Sequence, residues 1–333
     1  MAEGLRAPRY TTSRRVGLMV GLLAAIVATG TAPSGTVAQD WNFVLPIPEI
    51  ETHLGDMPFE ILEREGSRMP EDRTQRVRLG FEDGSIMVAK WATAPPGGSR
   101  FNNEPRYELG AYRIQKLFLD ESEYVVPPTV LRSFPREHLD AEDAGAPATF
   151  RDTESVLVVL QYWLGSVTPA DVWDPQRMQH DSLYARHIGN LNVLTYLIRH
   201  ADSNHGNFLI SVNPASPRAF AVDNGIAFNS PPSDRGDDWR HVRVDRLPLR
   251  TVERLRSLTR DDFERALAVL AEFEDQNGVL VPVEPGENLA RHRGVRRSGG
   301  RVQFGLTASE IRDVELRRTR LLQMVDRRHV TTF

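Results

Sequence analysis

There is no cysteine in this chain. Disulfides, thiolate catalysis and cysteine-ligated zinc are therefore excluded. A copy delivered to an oxidising compartment must be held by its core alone, which 333 residues permit. Nor is there a surplus of positive charge. The 41 Lys and Arg stand against 45 Asp and Glu, a formal net charge of −4 at pH 7. The whole chain is thus not built to neutralise phosphate backbones, and no nucleic-acid partner is expected. Internal repeats are absent, and no glycine-rich phosphate loop stands out; Gly66 in E-G-S-R is the single candidate. With 40% hydrophobic and 26% charged residues, what remains is ordinary globular composition, enough for one large domain or two lobes sharing a cleft.

Long hydrophobic runs are also scarce, and the exception is N-terminal. Arg6, Arg9, Arg14 and Arg15 precede the apolar stretch V-G-L-M-V-G-L-L-A-A-I-V-A-T-G-T-A, and small residues lead up to Gln39. Residues 1–38 read as a signal peptide cleaved after Ala38, or as an uncleaved membrane anchor. Ser13-Arg14-Arg15 resembles a twin-arginine signal, without its usual phenylalanine. Either reading predicts an exported body, periplasmic, extracellular or anchored facing out, because the arginines stay inside. Membrane contact would then come only through this segment.

Along the rest of the chain, residues 77–81 and 85–91 predict two strands around Glu82-Asp83-Gly84. Residues 104–119 have helical spacing, residues 124–131 are strand-like but carry Pro127 and Pro128, and 155–163 read as a buried strand. Then the pattern turns helical: 181–199, a helix capped by Thr259 and running to about Phe273, and a last helix opened by the capping-box pair Thr307 and Glu310. Layer rules give α+β. The specific expectation is a bilobal, protein-kinase-like fold, with a strand-rich N-lobe over 41–160 and a helical C-lobe over 161–333. A run of arginines at 291, 293, 296, 297 and 301, interleaved with glycines, reads as a solvated loop or as a loop binding phosphate or acidic substrate.

Phosphoryl transfer needs positioned phosphates, metal to neutralise charge, and a carboxylate for the attacking hydroxyl. Lys90 ends the strand S-I-M-V-A-K, where its ammonium can reach phosphates or merely snorkel to water. Glu108, on the following helix, can pair with it; Glu104, one turn earlier, is the runner-up or an extra metal-side carboxylate. R-H-A-D-S-N-H-G-N-F-L-I runs from a helix end through a polar loop into a strand. Its Asp202 and Asn207 have the five-residue spacing of a kinase catalytic loop. A-F-A-V-D-N-G-I-A-F then places Asp223 after a strand and before Gly225, which is expected to permit the sharp turn. D-N-G alone is also a common hairpin turn. His200 and His205 tune Asp202, contact phosphate or simply fill a polar loop; His205 beside Asn207 also raises a zinc site, but the spacing matches no metal signature.

These segments resemble known families. V-D-N-G-I-A-F is similar to the metal-binding loop of phosphatidylinositol 4-kinases of type II, and D-S-N-H-G-N matches the spacing of their catalytic loop. F-E-D-G-S-I-M-V-A-K, E-L-G-A-Y-R-I-Q-K-L-F and V-V-P-P-T-V-L-R look like the N-lobe of secretory-pathway kinases acting on casein-type proteins and proteoglycan xylose. The resemblance covers residues 77–228. It implies ATP and Mg²⁺ or Mn²⁺ as cofactors, Lys90 on phosphate, Glu108 pairing with it, Asp202 as the catalytic aspartate, and Asn207 and Asp223 as metal ligands. It also implies that Leu160 to Trp163, with Gln161, Tyr162 and Trp163, form the hinge facing adenine. The expected function is a kinase-type phosphotransferase acting on a protein or glycan hydroxyl. The rivals are a phosphatidylinositol-type lipid kinase, a nucleotide-binding pseudokinase, and a structural exported protein. Ser203 stands where these families carry arginine, and that departure motivates the pseudokinase.

Overall fold

The turn Glu82-Asp83-Gly84 closes as its residue types demand. Gly84 sits at φ +85°, the left-handed region that glycine enters without penalty, and Asp83 Oδ1 accepts the Ser85 amide at 2.9 Å. The computed structural model describes residues 42–66, 74–139 and 145–333. The expected signal segment, and Ser67 and Arg68 of the E-G-S-R stretch, lie outside the described residues.

After helix α1 (Ile47–Gly55) come β1 (Phe59–Gly66), β2 (Thr74–Phe81) and β3 (Ile86–Thr93), then α2 (Pro105–Gln115), β4 (Thr129–Pro135) and β5 (Ser155–Tyr162). The five strands form one sheet in the order β1-β2-β3-β5-β4, antiparallel throughout. On β3 the alternation buries Met87, Ala89 and Trp91 and turns Lys90 to the opposite face. Every residue of α2 except Arg113 is buried, so its charged members need partners inside the protein. The strand expected over 124–131 starts instead at Thr129. Pro127 and Pro128 have no N–H to give to a ladder. The amides of Val125 and Val126 bond to Gln115 Oε1 at 2.8 and 2.9 Å.

The second part continues with β6 (Val167–Thr168), α3 (Pro175–His180), α4 (Ser182–Ile198), β7 (Phe208–Ser211), β8 (Ala219–Ala221), β9 (Arg246–Leu247), α5 (Leu249–Ser257) and α6 (Arg260–Leu267). Asp181 caps α4 by accepting from Leu183 N and Tyr184 N. Arg199 ends the helix at φ +54°. The helix expected to reach Phe273 stops at Leu267. Residues 271–276 instead form β10, which joins β11 (Val279–Val283), β12 (Val295–Ser298) and β13 (Arg301–Phe304) in a sheet of order β11-β10-β13-β12. Tertiary pairing overrides a run whose period alone is ambiguous. A Cβ on Gly305 would overlap the Ala268 carbonyl oxygen, so only glycine lets the strand end approach the helix end this closely. The chain finishes with α7 (Ala308–Asp326) and β14 (Thr331–Thr332), parallel to β9.

This small sheet returns to the first part of the chain. Glu154 N donates to Gly278 O at 2.6 Å, and Leu280 N donates to Ser155 Oγ at 2.8 Å. The arginine run is not one loop: Arg296 and Arg297 lie in β12 and Arg301 in β13, while Arg291 and Arg293 precede these strands. Arg296 is fully buried, and its guanidinium donates to the carbonyls of Ala290, Arg293, Ala268 and Leu306. Arg297 pairs with Asp152, Arg301 with Glu272, and Arg291 with Glu264.

The capping box expected from Thr307 and Glu310 is present, and Glu310 also acts at long range. Arg106 Nη1 donates to Glu310 Oε2 at 2.6 Å and Tyr107 Oη to Glu310 Oε1 at 2.6 Å. Arg106 Nε donates to Glu104 Oε1 at 3.1 Å. A buried cluster thus fixes the start of α2 against the start of α7.

Inside α4, His187 is buried and its Nδ1 has no hydrogen-bond partner. Burial first, then Arg218 and Arg186, push its pKa down to about 3. The unfolded chain therefore takes up a proton below the ordinary value of 6.5, and the folded chain does so only near 3. Stability from this group is present above pH 6.5 and falls as the pH drops, by about 1.4 kcal/mol per pH unit. Denaturant titrations between pH 6.5 and 4.5 should show a slope shallower by that amount in His187→Gln than in wild type.

Candidate active site

Three elements converge on Lys90. Its ammonium donates to Glu108 Oε1 of α2 at 3.0 Å and to Asp223 Oδ1 at 3.2 Å. Burial alone would lower its pKa, but the Asp223 and Glu108 carboxylates outweigh that and hold it above the usual lysine range. Glu108 uses its second oxygen, Oε2, to accept the Asn224 amide at 3.0 Å. One carboxylate thereby ties the helix to both the lysine and the segment after β8.

The sharp turn there falls on Asp223 itself, at φ +59°, a conformation aspartate tolerates better than most residues. Gly225 has no positive φ, and a Cβ on it would meet Asn102 backbone at 3.9 Å, an ordinary contact. The expectation that glycine makes the turn is therefore corrected. Lys90, more than any other group, holds the Asp223 carboxyl below the usual carboxylate range. The Asp223 side chain is 50% exposed, so a cation can still reach it.

Opposite lies the loop between α4 and β7. Asp202 is 2% exposed, and its Oδ1 has no hydrogen-bond partner. Burial raises its pKa, Asp223 raises it further, and Arg235 opposes both. Asn207 Nδ2 donates to the Asp202 carbonyl at 3.1 Å, which leaves the amide oxygen of Asn207 directed elsewhere. Val222 N donates to Asn207 O at 2.8 Å, joining this loop to the strand end that carries Asp223. His200 is buried beneath the loop, its Nδ1 accepting from Asp202 N at 3.3 Å. Burial keeps its pKa down at about 4.

A cavity of about 390 Å³ opens beside Lys90, with Glu108, Asp223, Thr74, Arg100 and Val159 in its wall. The three expected hinge residues lie apart from that wall. Gln161 is opposite Lys90 in the sheet register, and its Nε2 donates to Thr129 Oγ1 at 2.9 Å. Tyr162 stacks on Phe43, with ring centroids 5.4 Å apart, and its hydroxyl accepts from Val44 N at 3.0 Å. Trp163 is 44% exposed, with the Arg76 guanidinium 5.3 Å from its ring centre. Glu104 is buried against Arg106 and Ser99.

The overall layout has a solved counterpart. The crystal structure of the Golgi casein kinase is similar to this chain with a TM-score of 0.50 at 12% identity, over 85% of this chain and 76% of that one. The chain has a protein-kinase-like fold. A MAP kinase from Leishmania major is similar at a TM-score of 0.29 and 14% identity, over 54% of this chain and 50% of the other. No protein-family model matches, and no curated protein sequence does. Within the kinase-like fold, two contributors to the site went unread in the sequence. Arg100 follows P-P-G-G-S, and Arg235 lies in S-P-P-S-D-R-G-D-D. Neither stretch has a period that assigns its residues to a face.

Proposed function

We propose that this chain is an ATP-dependent phosphotransferase that acts on a hydroxyl of a protein or glycan and works outside the cytoplasm. The observation that carries this is the contact of Lys90 with both Glu108 and Asp223, with Asp202 and Asn207 on the facing loop. Lys90 would hold phosphate oxygens, and Glu108 keeps its ammonium in place. Asp202 takes the proton of the acceptor hydroxyl as that oxygen bonds to phosphorus and the β,γ-bridging oxygen leaves with ADP. The lobes would be residues 41–160 and 161–333, with nucleotide between them and Gln161, Tyr162 and Trp163 at the connection.

The residues present fit Mg²⁺ or Mn²⁺. Among the described residues no three His, Asp or Glu side chains form a ready-made metal cage. Such ions, however, are held by one or two protein oxygens together with substrate phosphates. The half-exposed Asp223 carboxylate and the Asn207 amide oxygen supply those. The metal would neutralise phosphate charge. Support for a protein or glycan acceptor is the resemblance of the N-lobe segments to secretory-pathway kinases. The D-N-G-I-A-F loop instead favours a lipid hydroxyl, and Ser203 favours a non-catalytic nucleotide binder. Support for export is the basic, then apolar, N-terminus. Among the described residues no helix is long and apolar enough to cross a membrane.

A melting experiment tests the reading without knowledge of the acceptor. A ligand of the folded state at a hundredfold excess over its Kd stabilises by about 2.7 kcal/mol, which raises Tm by several degrees at roughly 2–4 °C per kcal/mol. ATP with Mg²⁺ or Mn²⁺ should produce that shift, and ATP with chelator much less. Asp223→Asn should lose the metal-dependent part. A wild-type protein indifferent to every nucleotide–metal pair would remove the basis of this assignment.

A further inference from the structure

The catalytic loop has a serine where the resembling kinases carry arginine, and the structure shows what that serine does. Ser203 N donates to Gly236 O at 3.2 Å, and Ser203 Oγ accepts from Trp239 N at 3.2 Å. A Cβ on Gly236 would sit 3.4 Å from Ser203 Cβ, so the two backbones are already close. A small side chain at 203 thus docks the segment 235–239 directly on the catalytic loop. That docking delivers Arg235: its Nη1 lies 3.5 Å from Asp202 Oδ2 and donates to Asn102 Oδ1 at 2.7 Å.

Resting on the function proposed above, we infer that Arg235 is the acceptor-side cation of this site. It would replace in space the arginine that position 203 lacks in sequence and contact the phosphoryl group as it passes to the acceptor hydroxyl. Three observations support this. The Arg235 side chain is 39% exposed, so it is not closed off from a ligand. The guanidinium is a planar fork of five donors, and the hydrogen bond to Asn102 and the ion pair with Asp202 use the same nitrogen, Nη1. The guanidinium also bridges two segments, reaching Asp202 on one loop and Asn102 on another. Asn102 is itself at φ +63°, in the loop that walls the cavity beside Lys90. Arg235 therefore stands where the two loops meet over Asp202. In the transfer, the bond from phosphorus to the β,γ-bridging oxygen breaks and the bond to the acceptor oxygen forms. The charge spread over the three equatorial oxygens is what a guanidinium fork stabilises.

A binding comparison that needs no acceptor tests this. ADP with Mg²⁺ is titrated alone and with aluminium fluoride, which mimics the phosphoryl group in transit. Arg235→Ala should leave ADP·Mg²⁺ affinity within about twofold and weaken the aluminium fluoride complex by about ten- to a hundredfold. Added guanidinium ion should restore part of that loss, which a merely structural arginine would not show. Arg235→Lys should fall between, because it keeps the charge and loses the fork. Equal aluminium fluoride affinity in wild type and Arg235→Ala would overturn the inference while leaving the function standing. If wild type fails to bind ADP·Mg²⁺ at all, the function itself is wrong and the inference falls with it.

Discussion

Arg106→Met should lower the unfolding free energy by about 3–5 kcal/mol, because it strands two buried carboxylates. Glu104 and Glu310 both face the guanidinium, at 3.1 and 2.6 Å, and neither is exposed enough for water to take its place. At roughly 2–4 °C per kcal/mol, the melting temperature should fall by about 10 °C. Glu310→Gln is the informative companion. Glutamine can still serve in a capping box, so α7 keeps its N-terminal cap, and the change isolates the charge facing Arg106. The double variant should be less destabilised than the sum of the singles, because replacing both partners leaves fewer uncompensated charges. Strict additivity would show that the two side chains do not act as a pair. Because α2 also carries Glu108, either single variant should reduce the melting shift produced by ATP and metal.

Asp202→Ala should reduce phosphoryl transfer by about 10²–10⁴, the range lost when a positioned general base is removed, and leave nucleotide affinity unchanged. In the proposed reaction the side chain would face the acceptor, whereas the phosphate-side contacts would belong to Lys90 and Asp223, which are hydrogen-bonded to each other. Its contribution to Asn207 is made by the backbone carbonyl, which alanine retains. Removal should not destabilise the fold. Asp202 Oδ1 is buried without a partner, and such a group costs stability where it stands. The check is a paired measurement of turnover and ATP binding. Loss of binding together with turnover would mean that Asp202 orders the loop.

The parts of the site that were legible in the sequence share one property: each sits in or next to a regular element. Lys90 lies within β3, a strand with clear alternation that runs on to Thr93. Glu108 is on a helix with clear spacing, Asp202 and Asn207 lie in a polar loop between helix α4 and strand β7, and Asp223 follows strand β8. The pairing of Lys90 with Glu108 is expected from the order of those elements, whereas its contact with Asp223, expected only as a metal ligand, is not. What could not be read is long-range. Nothing local marks Arg106 as a partner of Glu310, or Arg235 as a neighbour of Asp202. Residues 268–273 carry an apolar pattern that helix and strand both satisfy, and pairing with β13 decides between them. Arg296 is the sharpest case. In composition it belongs to a solvated basic run, yet it is buried because four main-chain carbonyls converge on it. Gln161 and Tyr162 close β5 and Trp163 follows it, and nothing local marks Phe43 as the ring that stacks on Tyr162.

The clamp between α2 and α7 also sets a timetable. Arg106 and Glu310 are 204 residues apart. At a synthesis rate of ~5–20 residues per second, roughly 10 to 40 seconds separate the appearance of the guanidinium from that of the carboxylate that secures it. Lys90, Glu108, Asp202 and Asp223 have all been made before Glu310 emerges. A growing chain therefore holds every group of the site while the helix carrying Glu108 still lacks its anchor. Throughout that interval the face of α2 that is buried in the finished fold lacks the partner that pins it to α7.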